Sequence, residues 1–133
     1  MTQSKLEKLL KIDNESYNLL RVLTMFMKLD NSQDVPLQAM AVFWFVATYQ
    51  NCSKKNIEEY FKMSKASASR LTDYLSRYHR LGKGGLGLIS KEADPKDKRR
   101  TLLKLTRKGK DLIEKSFSTL YEDVKDYDID YKE

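Results

Sequence analysis

The chain has little of what metal and hydrolytic chemistry use: one cysteine, Cys52, and one histidine, His79, in 133 residues. A single cysteine excludes an intramolecular disulfide and a cysteine-built structural zinc site. A single histidine excludes histidine-rich metal chemistry and argues against a hydrolytic triad. No apolar run approaches the ~18 residues that a membrane-spanning helix needs, so no membrane partner is expected. Residues 1–12 carry lysines without an apolar block ending in small residues, which predicts a cytoplasmic rather than an exported chain. No convergent set of acid, base and nucleophile is legible. The expectation is therefore a non-enzyme with no catalytic residues, no metal and no cofactor.

What is present is charge and apolar surface in mixed proportion. Hydrophobic residues make up 41% and charged residues 33%, too apolar for a disordered chain. The length predicts one domain spanning 1–133, large enough to bury a core without cross-links. The net charge of +6 is unevenly spread: residues 1–53 are neutral, residues 54–110 carry +11 and residues 111–133 carry −5. A concentrated positive field favours a polyanion, and nucleic acid is the commonest.

Hydrophobic periodicity predicts a helix over about 4–29, interrupted near Asp13-Asn14, with Leu20, Leu23, Phe26 and Met27 on its apolar face. Asp30-Asn31-Ser32 breaks it. Pro36 reads as the first-turn proline of a second helix, 36–49, apolar nearly all round and hence central. Ser53 reads as the N-cap of a short helix, Lys54–Phe61, burying Ile57, Tyr60 and Phe61. Lys62-Met63 is a tight turn. Ser64 caps the next helix, whose core stripe is Ala68, Leu71, Thr72 and Leu75. Two short helices so joined describe a helix-turn-helix.

Four of the five glycines, Gly82, Gly84, Gly85 and Gly87, then form a loop. Leu86–Glu92 and Arg100–Leu105 read as strands joined by Asp94-Pro95-Lys96-Asp97-Lys98. Thr106 caps a last helix with Leu112, Ile113, Phe117, Leu120, Tyr121 and Val124 on one face. A hairpin after a helix-turn-helix is a winged helix, a fold that reads DNA grooves with its second helix and lays the wing alongside. The expected class is α+β, mainly α, with N- and C-terminal dimerisation helices: arms at about 1–34 and 107–133, and a winged-helix DNA-binding lobe at about 35–106.

Two stretches carry the chemistry. In the first, the stretch Met63 to Leu71, the residues Ala66, Ser67, Ser69, Arg70 and Asp73 face away from the predicted core stripe, with Ser64 and Lys65 at the start of the stretch. Side chains this small let a helix approach DNA closely, hydroxyls reach phosphates or base edges, and an arginine forks onto guanine or phosphate. In the second, Lys96, Lys98, Arg99 and Arg100 crowd a hairpin tip, where arginine suits the potential of a narrow minor groove. Asp73 is the one acid on the helix face. A carboxylate facing phosphates needs a partner, and Arg99 is the expected one, an ion pair locking wing to helix.

These residues resemble the MarR family of winged-helix transcriptional regulators. The resemblance rests on Met63-Ser64-Lys65, Ser69 to Leu75, Gly87-Leu88-Ile89, Asp94 to Arg99 and Leu103-Lys104-Leu105-Thr106-Arg107-Lys108-Gly109, in order, between about Pro36 and Ile113. It implies a homodimer on a near-palindromic operator in double-stranded DNA, usually a repressor, in many relatives released by a small aromatic acid or by oxidation. By position it puts Ser64, Lys65, Ser67, Ser69 and Arg70 on the recognition helix and Lys98 and Arg99 at the wing tip.

Two features depart from the family pattern. Eleven residues, Ser76 to Leu86, separate Leu75 from Gly87, where about three are expected. A longer recognition helix or a looser wing would follow. The reactive first-helix cysteine of the peroxide-sensing branch is also absent, and Cys52 reads as an ordinary half-buried thiol. The competing reading is a winged-helix module that binds a protein rather than specific DNA.

Overall fold

The computed structural model describes residues 13–77 and 84–123. Five helices and three short strands follow in the order α1 (Asn14–Met27), α2 (Leu37–Thr48), β1 (Cys52–Ser53), α3 (Lys54–Phe61), α4 (Lys65–Leu75), β2 (Ile89–Ala93), β3 (Thr101–Leu105) and α5 (Arg107–Leu120). The class is α+β, mainly α, with an antiparallel sheet in the order β1-β3-β2.

Asp13, where an interruption was expected, is the N-cap of α1 and accepts from the Ser16 N–H at 2.9 Å. The part of the predicted helix before it lies outside the described residues. Pro36 is not in the first turn of α2. Its ψ of 147° is extended, which makes it the N-cap, with its carbonyl accepting from the Met40 N–H at 3.2 Å. The α2 helix is central as expected, with Ala39, Val42, Phe43 and Val46 fully buried. Phe26, Phe43 and Trp44 pack with ring centroids 5.5–5.7 Å apart, and Trp44 reaches Phe117 of α5 at 5.7 Å.

Asn18 was not singled out by the hydrophobic pattern, yet it is fully buried. Its amide donates to the carbonyls of Leu120 at 3.1 Å and Glu122 at 2.7 Å. The first is an orphan acceptor of the last turn of α5 and the second lies just beyond its C-cap, so Asn18 ties α1 to α5. Arg21 adds an ion pair to Glu122 at 3.0 Å.

The strand β1 escaped the sequence reading because two residues carry no periodicity. Cys52 pairs with Leu103 and Ser53 with Leu102, so β3 becomes the middle strand and Leu103 is fully buried. Cys52 itself is buried rather than half-buried, and that burial pushes its thiol pKa up.

The expected strand from Leu86 starts only at Ile89, because the preceding residues cap α4. The N–H groups of Leu86, Gly87 and Leu88 donate to the carbonyls of Tyr74, Ser76 and Leu75 at 2.9, 3.1 and 2.8 Å. The α4 helix therefore does not lengthen into the insertion; it stops at Leu75 with Ser76 in an extended conformation. Gly85 makes the return possible: a Cβ there would lie 1.8 Å from the Ser76 carbonyl oxygen. The predicted loop residues 78–83, with His79, lie outside the described residues, as do Val124 and the acidic tail.

Candidate nucleic-acid interface

Ser53 and Ser64 start the two helices of the helix-turn-helix as expected. Ser53 forms a reciprocal capping box with Asn56. Between the helices Lys62 adopts the left-handed conformation, φ 52°, and the Met63 N–H donates to the Glu58 carbonyl at 3.0 Å, reversing the chain. The Ser64 hydroxyl accepts from the Ser67 N–H at 3.1 Å. Ala68, Thr72 and Leu75 are buried in α4, while Leu71 is half-buried and Tyr74 is added to the core face.

On the outer face, Lys65, Ala66 and Arg70 are exposed. Arg70 donates to the Ser67 hydroxyl at 3.1 Å, and Ser64 meets the same hydroxyl at 3.0 Å. This relay holds the guanidinium toward the N-terminal end of α4, where free backbone N–H groups attract anions. Ser69 is held differently, receiving a hydrogen bond from Lys54 of α3 at 3.3 Å.

The wing tip is built by its two aspartates. Asp94 accepts from the Lys96 N–H at 2.9 Å and Asp97 from the Arg99 N–H at 3.1 Å, two successive Asx turns. Lys96, Lys98, Arg99 and Arg100 are all exposed there, the Arg99 side chain to 93%.

Asp73 is paired, but the expected partner is wrong. It bonds Lys91 on β2, while Arg99 pairs with Asp97 at 3.2 Å. The reason is position along the hairpin. Lys91 sits in the body of the ladder opposite Leu103, beside α4, whereas Arg99 lies beyond the strand ends. A wing-to-helix lock exists, at the base of the wing rather than at its tip.

Helix and wing do converge. Lys65 of α4 and Arg99 and Arg100 of the tip line one groove of about 870 Å³, together with Lys54 and Lys55 at the start of α3 and the acids Glu58, Glu59 and Asp97. Lys54 and Lys55 were not expected at this surface, although a lysine pair directly after a cap serine was a readable charge signal. A second cavity, about 840 Å³, lies where α4, the base of the wing and α5 meet; Leu86 and Ile89 give it apolar wall, and Arg77, Lys91, Arg107 and Lys108 give it positive charge. Among the described residues no group of three or more His, Cys, Asp or Glu side chains is placed to hold a metal ion, and no helix is long and apolar enough to cross a membrane.

No family model and no curated protein matches the sequence. Solved structures do match. The S. aureus MepR–DNA complex superposes with a TM-score of 0.58 at 20% identity, over 78% of this chain and 73% of that one. A MarR transcriptional regulator from Methanosarcina mazei Go1 gives 0.56 at 18% identity, over 78% and 69%. A mutant E. coli MarR complexed with operator DNA gives 0.55 at 19% identity, over 76% and 64%. The chain has the MarR-like fold.

Within the MarR-like frame, Gly109 explains one motif residue physically. A Cβ at Gly109 would lie 2.2 Å from the Leu88 carbonyl oxygen, so α5 can start against the wing base only with glycine there. The Thr106 side chain caps that helix on the Gly109 N–H at 3.1 Å and donates to the Gly87 carbonyl at 2.6 Å.

Proposed function

We propose that this chain is a dimeric, sequence-specific double-stranded DNA-binding regulator of transcription, acting as a repressor. The observation that carries the reading is the shared groove in which Lys65 of α4 faces Arg99 and Arg100 of the wing tip. A duplex laid there would meet α4 in the major groove and the wing arginines at the adjacent minor groove or backbone. Ser64, Ala66, Ser67 and Arg70 form the helix surface toward DNA, with Lys96 and Lys98 as further phosphate contacts. Ser69 acts through Lys54.

Dimerisation is supported by the outer face of the α1–α5 pair, the proposed arms at about 1–34 and 107–133. Leu19, Leu20, Leu23 and Met27 of α1 and Phe117 and Tyr121 at α5 are exposed large hydrophobics. An apolar surface spread over two packed helices is unusual unless another chain covers it, and two-fold protein symmetry would match a palindromic operator. A small aromatic acid is the proposed effector. The cavity at the base of the wing offers apolar wall from Leu86 and Ile89 and cationic groups for its carboxylate.

Selection of bound duplexes from a random pool tests the reading. A palindromic motif with two half-sites is the expected result; recovery of sequences without any motif would overturn it. The second reading is a winged-helix module that binds a protein partner without specific DNA binding, for which the acids Glu58, Glu59 and Asp97 among the cations of the groove leave room. Steep loss of duplex affinity with salt separates the two.

A further inference from the structure

Tyr60, expected in the core, is instead 64% exposed. It does not lie loose on the surface. Its ring packs on Phe45 with centroids 4.9 Å apart, and Tyr49, just past the end of α2, packs on the same Phe45 at 4.8 Å. Phe61 extends the cluster, 4.9 Å from Tyr60 and 5.7 Å from Phe45. Phe45, Tyr49 and Tyr60 wall a cleft of about 590 Å³ between the end of α2 and α3, completed by Gln50, Asn51, Cys52, Asn56 and Glu59.

The charge of this cleft is opposite to that of its surroundings. The segment 54–110 carries a net charge of +11, yet the cleft is lined by one carboxylate, Glu59, and by no lysine or arginine. Its remaining polar walls are neutral amides and the buried Cys52, whose thiol burial keeps protonated. Aromatic faces carry negative quadrupole potential, and a weakly hydrated cation gives up little to sit against them. A carboxylate beside such faces adds to the same preference. An anion or a phosphate backbone finds no donor of positive charge here, unlike in the groove between α4 and the wing tip, with which the cleft shares Asn56 and Glu59.

We propose that the Phe45–Tyr49–Tyr60 cleft is a binding site for a small organic cation with a quaternary or similarly weakly hydrated ammonium head. The tyrosine rings contact the head, and Glu59 supplies the counter-charge. Choline binding needs no duplex, so the site is testable without any operator, although Glu59 also lines the groove between α3 and the wing tip.

Choline is the probe, with 3,3-dimethylbutan-1-ol, its uncharged carbon isostere, as control. Both are titrated into the full chain while the tyrosine ring resonances are followed by NMR. The expected result is saturable choline binding with shifts of the Tyr49 and Tyr60 rings, and at least severalfold weaker binding of the alcohol. Tyr60→Leu and Glu59→Gln alter exposed side chains, and each should weaken choline by about two- to fivefold, the first by losing an exposed cation–π contact and the second an exposed ion pair. Equal binding of the alcohol would reduce the cleft to an apolar crevice and overturn the proposal. So would the absence of saturable choline binding, or choline binding unchanged in both variants.

Discussion

The Tyr74 hydroxyl donates a 2.6 Å hydrogen bond to the Asp30 carboxylate. It joins α4 to the turn that ends α1, across 44 positions of sequence. The link fixes α4 relative to the first helix, and with it the proposed DNA-reading face relative to the proposed dimer arm.

This pair predicts how stability varies with pH. The Tyr74 hydrogen bond, helped by Ser32, pulls the Asp30 carboxyl from 3.8 down to about 2. Its contribution is complete above pH 3.8 and lost as pH falls through about 2. Burial, reinforced by the Asp30 bond, pushes the Tyr74 phenol from 10.0 up to about 12. That contribution is complete below pH 10 and lost as pH rises through about 12. Tyr74→Phe should cost about 1.5 kcal/mol at neutral pH, the lower range for a hydrogen bond to a charged group. It should also flatten the acid limb. Urea unfolding between pH 2 and 7 checks both.

Asp73 and Lys91 should couple where Asp73 and Arg99 should not. In a double-mutant cycle read by urea unfolding, Asp73→Ala and Lys91→Ala are expected to be non-additive by about 0.5–1 kcal/mol. Asp73→Ala and Arg99→Ala are expected to add. The reverse pattern would restore the tip arginine as the wing lock.

Gly109→Ala sets two effects against each other. Helix propensity favours alanine by about 1 kcal/mol. The new Cβ would stand 2.2 Å from the Leu88 carbonyl oxygen, a backbone atom that cannot step aside. Overpacking of this kind costs about 1–3 kcal/mol, so net destabilisation is expected. A rise in midpoint temperature would show that the wing base yields.

The two arginines should fail differently. Arg70→Ala should cost about 1–3 kcal/mol and relax preference at one base position per half-site. Arg99→Ala should weaken all sequences nearly alike and reduce the logarithmic salt slope by about one for each lost phosphate contact. Titrations against the selected site, its single-base variants and random duplex at several salt concentrations separate them. A base-selective Arg99 with a uniform Arg70 would put the wrong element in the major groove.

Leu23 lies on the exposed apolar face of α1. Leu23→Asp should leave the protomer folded, because the side chain faces outward, and should shift sedimentation toward a monomer. Operator affinity should fall with it. A stable dimer in this variant would move the interface off α1.

Much of this protein is written in local pattern. The caps Ser53, Ser64 and Thr106, the turn at Lys62-Met63 and the all-apolar α2 follow from side-chain chemistry within a few residues. Local hydrogen bonding and one-sided hydrophobicity need no distant partner to be read. The cations of the helix face and wing tip were legible for the same reason: exposure follows from charge.

Tertiary structure alone decided what depends on residues far apart in the chain. Asp73 took Lys91 because the β2–β3 register, not charge, sets which cation reaches α4. Asn18 is buried because the carbonyls ending α5 needed a donor, a demand arising more than a hundred residues away. The insertion after Leu75 left α4 unextended because the chain returns through Gly85 to cap that helix. Tyr60 stayed outside because Phe45 and Phe61 already offered it an aromatic surface. In each case a group carried an unmet partner or an unfilled contact that only the assembled fold could assign.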